Sequence, residues 1–123
     1  MKYTIVHAIS LLAPTANWSM MGEDYDNIQW LSDYVSKPSM QSLLDKAAEL
    51  NAAEPMRLLR IERDKRLAAV DWMVIKSISQ GLPIATDLAD YMQALRDLTV
   101  TADPQLNQIY ELDLTSVVWP VKP

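Results

Sequence analysis

Apolar residues fall at Met40, Leu43, Leu44, Ala47 and Leu50, the spacing of one face of an α-helix. Ser36-Lys37-Pro38-Ser39 precedes that run and supplies a start, with Ser39 as the capping hydroxyl. Asn51 offers an end, and Glu54-Pro55 a restart with proline at the first helical position. The alternative is one long helix kinked at Pro55. A helical pattern resumes from Met56 to about Ser79, with Leu58, Leu59 and Ile61 at one end and Leu67, Val70, Trp72, Met73, Val74 and Ile75 at the other. Between them lies ERDKR, residues 62–66, which reads as a solvated face. Within it Glu62 and Arg66 stand in the favoured i, i+4 order, worth about 0.3 kcal/mol. Gly81-Leu82-Pro83 then breaks the chain. Thr86-Asp87 caps a further helix whose inner face is Leu88, Tyr91, Met92, Leu95 and Leu98, and which ends near Thr99. After Asp103-Pro104 and a polar loop, DLTSVVWPVKP reads as an extended tail anchored by Trp119.

The first third of the chain is less regular. In residues 3–13, Tyr3-Thr4-Ile5-Val6 favours a strand by propensity, while Ile5, Ala8, Ile9 and Leu12 favour a helix by spacing. The reading adopted is a helix ending before Pro14. Trp18 to Met21 and Ile28 to Leu31 alternate with period two around Gly22 and a polar segment. They predict a β-hairpin with a loop of about six residues. An isolated hairpin is marginal in water, so Trp18, Ile28 and Trp30 must bury against helices. The expected fold class is α+β, predominantly helical. It comprises a short N-terminal helix, a hairpin, three helices and an extended C-terminal tail. Residues 1–50 and 51–123 are expected as two segments of one compact unit.

Charge and composition narrow the function. The chain has 123 residues, half of them hydrophobic, with a net charge of −5, enough for one folded domain and too acidic for a nucleic-acid or anionic-lipid binder. There is no cysteine, so neither disulfides nor thiolate chemistry is open to it. The segment MKYTIVHAISLLAPTA has a superficial likeness to a signal peptide, but His7 and Ser10 interrupt its apolar run, and an ordered element is preferred. No window approaches the ~20 apolar residues of a membrane span.

Candidate chemistry is thin. The loop GEDYDN carries carboxylates but lacks the one-residue spacing and closing glutamate of an EF-hand, and its residues are those a turn needs. His7 is the only histidine, which leaves no zinc site, and no G-x-S-x-G elbow or phosphate-binding glycine loop exists. No catalytic residue, metal or cofactor is expected. Four Trp and five Tyr in a chain without Phe are more than a small domain buries completely. Their exposed edges are preferred anchors at protein interfaces, so binding is the role that composition favours.

Three motifs then resemble one family. Arg60-Ile61-Glu62-Arg63-Asp64-Lys65-Arg66-Leu67 followed by Asp71-Trp72 resembles the signature of phage tail assembly chaperones, R-x-x-R-D/N-x-x-L and then D-W. DYMQALRDLTV, with Asp90, Tyr91, Gln93, Ala94, Leu95, Arg96 and Asp97, is similar to the second motif of that family, and Trp119-Pro120-Val121-Lys122-Pro123 to its W-P-x-K-P ending. Met73 and Met92 depart from the pattern, standing where relatives carry Trp and Arg. The first part resembles a segment of other phage tail proteins, through Gly22, Asp24, Tyr25, Trp30, Leu31, Lys37 and Pro38. The resemblance implies a non-enzymatic protein that binds and shields a phage tail, tail-fibre or baseplate protein, without cofactor, nucleic acid or membrane. It also implies work in the host cytoplasm during assembly, with self-association to a homo-oligomer left open. The alternative is a structural component of the virion tail, baseplate or fibre attachment. The expected partner-binding residues are Trp18, Tyr25, Trp30, Trp72, Tyr91, Arg96 and Trp119.

Overall fold

The first helix begins where the neighbouring side chains satisfy its free end. In the computed structural model, which describes residues 1–123, α1 spans Ile5–Leu12. The Thr4 N–H donates to His7 Nδ1 at 3.0 Å, so the lone histidine caps a helix. Tyr3 meets the imidazole edge-on at 5.2 Å. Pro14 follows the helix end, as its missing N–H requires. Ile5, Ala8 and Ile9 face inward.

The hairpin is present but short. β1 (Trp18–Ser19) pairs antiparallel with β2 (Gln29–Trp30), placing Trp18 opposite Trp30. Pairing stops there because Gly22 takes a left-handed φ of 73° and Tyr25–Asn27 wind into a 3-10 turn. The Asp24 carboxylate accepts the Asp26 N–H at 3.1 Å, and the Tyr25 hydroxyl donates to the Pro38 carbonyl at 2.8 Å. The Lys37 ammonium lies 4.2 Å from the centre of the Tyr25 ring. GEDYDN is therefore a turn held by its own Asp and by a tyrosine strut. Trp18, Met20, Tyr25 and Trp30 pack on a core of Ile5, Ala8, Ile9, Ile28 and Leu43. The Trp30 indole N–H is satisfied by the Val35 carbonyl at 2.8 Å, which lets the ring bury its apolar body.

The chain divides into two compact units, residues 1–54 and 55–123. Helix α2 (Met40–Ala68) runs through that boundary with Pro55 inside it. Ser39 caps it as expected, its Oγ accepting the Ser42 N–H at 3.1 Å. The expected end at Asn51 and restart at Pro55 are corrected: the helix is continuous, closer to the single-helix alternative. A proline deprives only the Asn51 carbonyl of its partner, and flanking Ala, Glu, Leu and Arg are strong helix formers. Asn51 has a different task. Its Oδ1 accepts the Tyr3 N–H at 2.7 Å and its Nδ2 donates to the Tyr3 carbonyl at 2.9 Å, clamping the N-terminal segment. The inner stripe is also narrower than its spacing suggests: Leu43 and Ala47 are buried, but Met40 and Leu44 are exposed.

In residues 55–123 the expected helix from Met56 to Ser79 is broken at Val70, and α3 spans Asp71–Ser79. Val70 takes φ −108°, ψ 3°, and the Val70 and Met73 N–H groups bond three residues back instead of four. That turn buries Val70 completely beside Leu59 and Leu95. No Gly or Pro marks the break, which is why the sequence pattern hides it.

The end of α3 follows the expectation. Gly81 sits at φ 68°, its N–H bonds to the Ile78 carbonyl, and the Leu82 N–H reaches the Ser77 carbonyl at 2.9 Å. This is the paired bonding of a Schellman cap. Helix α4 (Thr86–Thr101) buries Leu88, Tyr91, Leu95 and Leu98. Thr86 does not cap it; the cap position is Ala85, and Asp87 instead accepts the Leu88 N–H at 2.8 Å. The tail makes one bridge, Leu106 to Leu112, and a 3-10 turn at Leu114–Ser116. It then runs extended from Val117, which is buried with the α4 residues. The fold class is α+β and predominantly helical.

Candidate partner-binding surface

The expected binding residues separate by burial. Trp18, Tyr25 and Trp30 come together on the first core with one face covered and an edge exposed. Tyr91 is corrected to a core residue: at 6 % exposure it has almost no surface to offer, since α4 turns it toward Leu59 and Leu95. Arg96 is exposed on α4, away from that core face. Trp119 is half-buried against the core of residues 55–123. Its indole N–H donates to the Leu114 carbonyl at 3.1 Å, and the Arg66 guanidinium lies 4.1 Å from its ring centre. Arg66 is held in turn by Glu62, Nε to Oε1 at 3.1 Å. The run ERDKR is thus more than a solvated face: one of its arginines pins the tail.

Trp72 is the exception among the tryptophans, 58 % exposed at the start of α3. It does not stand alone. Ile75 and Ile78 are 65 % and 66 % exposed on the same helix, and Leu82 is 57 % exposed just after it. Met73 and Val74 meanwhile pack on the core. Helix α3 is therefore apolar on two faces, one toward the core and one toward solvent. The sequence reading singled out Trp72 and missed Ile75, Ile78 and Leu82. The available signal was the near-continuous apolar run from Trp72 to Ile75, more than one buried face of a short helix can use.

A groove of about 310 Å³ adjoins Trp72, lined by Met73 and Ser77 of α3, Asp87 and Leu88 of α4, Lys76 and Pro123. It is large enough to seat one bulky side chain of a partner. No group of three or more His, Cys, Asp or Glu is placed to hold a metal ion. No helix is long and apolar enough to cross a membrane. What the arrangement offers chemically is an aromatic and aliphatic strip on a rigid helix, the kind of surface that anchors another polypeptide.

No curated protein and no solved structure matches the chain. Residues 56–123, more than half of the chain and the part that carries α3, α4 and the Trp119 tail, match the model of the phage tail assembly chaperone proteins. The chain belongs to the phage tail assembly chaperone family.

Proposed function

We propose that this chain is a non-enzymatic assembly factor that binds a tail or tail-fibre protein and shields its apolar surface until that surface is built into the tail. The observation that carries this reading is the solvent-facing strip Trp72, Ile75, Ile78 and Leu82. Large apolar side chains clustered in the open mark a surface awaiting a partner. Subunits of large assemblies expose such surface before they assemble, and a protein that binds it suppresses aggregation by mass action. Trp119 supports the platform by tying the tail down, and the edges of Trp18, Tyr25 and Trp30 offer a secondary contact.

The test is co-expression with each tail and tail-fibre protein of the same phage, followed by assay of the soluble fraction and affinity capture. The expected outcome is one client that stays soluble only beside this chain. Trp72→Ser and Ile75→Ser should abolish its capture while shifting stability by about 0.5 kcal/mol or less, because both side chains are exposed. If no tail protein gains solubility, the reading is wrong. If mass spectrometry finds the chain in purified virions at a fixed copy number, the role is that of a structural tail component instead.

A further inference from the structure

The charges beside the α3 strip are placed for a second copy of the same chain. Each residue of a helix turns about 100° from the last. With Met73, Val74 and Ser77 turned inward, the middle of the solvent face is Trp72, Ile75 and Ser79. These three stand at a, d and the next a of a heptad, the seam of a coiled-coil-like contact. Asp71 and Ile78 then fall at g, and Lys76 at e. Across a parallel pair of helices, g of one faces e of the next heptad in the other, five residues on. Asp71 to Lys76 is that separation, and symmetry makes the contact twice. Neither residue has an ion pair within its own chain. An antiparallel pair would instead set g against g and e against e, so Asp71 and Lys76 would not meet.

We propose that α3 is a self-association surface, on which two copies pair in parallel about a two-fold axis through Trp72 and Ile75, with Asp71 and Lys76 bridging them. The contact is small, because α3 has only nine residues, so the dimer is weak and exchanges readily. That suits a face which a client must also reach: self-pairing covers the strip while no client is present and yields to it by competition. The inference does not rest on the client reading, since self-association is measured on the pure protein.

The competing explanation is intramolecular. Asp71 in the first turn and Lys76 in the last both suit the helix dipole. Charge reversal separates the two. Sedimentation equilibrium of the full chain should show a concentration-dependent dimer. Asp71→Lys and Lys76→Asp alone should each weaken it by roughly tenfold or more, because like charges then face each other. The double variant, Asp71→Lys with Lys76→Asp, should recover the dimer, although it is the worst of the three for the helix dipole. Circular dichroism of each variant checks that α3 persists. A monomer at every concentration overturns the proposal. So does a dimer indifferent to these reversals, or one that the double variant fails to restore. A dimer that behaves as expected in a chain that captures no tail protein would count against the proposed function and leave this inference standing.

Discussion

Trp119 illustrates how one side chain in a tail can hold a fold together. Its ring is covered on one side by the core and capped by Arg66, and its N–H is satisfied by Leu114. Trp119→Ala should lower the stability of the protein by about 2 kcal/mol, below the cost of deleting a fully buried tryptophan. Arg66→Ala should cost about 1 kcal/mol, through the lost stack and the lost packing of its stem. Urea denaturation checks both; a change under about 0.5 kcal/mol for Trp119→Ala would mean the tail is not fastened there. Gly81 makes a different kind of contribution. A Cβ there would meet nothing within 4 Å, so Gly81→Ala should cost only the backbone penalty of the left-handed conformation, about 1 kcal/mol.

At the scale of elements, α2 and α3 show opposite departures from their sequence pattern. Helix α2 continues where proline suggested a stop. Pro55→Ala returns an N–H to the Asn51 carbonyl and removes the ring clash, so it should stabilise the protein by about 1–2 kcal/mol after the unfolded-state entropy that proline removes is allowed for. Thermal denaturation tests the sign; a fall in midpoint would show that the proline conformation is needed. Helix α3 begins where nothing in the sequence marks a stop, because burying Val70 in one core with Leu59 and Leu95 outweighs the bonds lost in the turn. Periodicity was reliable for α4, where Leu88, Tyr91, Leu95 and Leu98 are all buried. It was unreliable for α3, where apolar residues serve two faces and one period cannot describe both.

At the scale of the whole molecule, charge and apolar surface are distributed unequally. Residues 1–54 carry three Lys or Arg against seven Asp or Glu, and residues 55–123 eight against nine. The acidity of the chain is thus concentrated outside the unit with the α3 strip. Under the proposed function, client capture through that strip would be apolar and should persist at about 1 M salt, where the screening length is about 3 Å; loss of capture there would point to a charged interface instead. The two cores also share no buried residue. Ile9→Ala and Leu95→Ala should each cost about 2–5 kcal/mol, and the double variant should match their sum within about 0.5 kcal/mol. A larger discrepancy in a double-mutant cycle would reveal coupling between the units.

Local chemistry settled much of this protein from its sequence alone. The Ser39 cap, the Gly81 stop and the turn at GEDYDN all depend on residues close together along the chain, and short-range sterics and hydrogen bonding decide them. Tertiary packing decided the rest. Whether Asn51 ends a helix or clamps Tyr3, whether Arg66 is solvated or stacks on Trp119, and whether Tyr91 or Trp72 faces out all depend on partners far away in sequence. An aromatic residue has the same composition and spacing in a core as on a docking face; only the atoms that come to surround it distinguish the two.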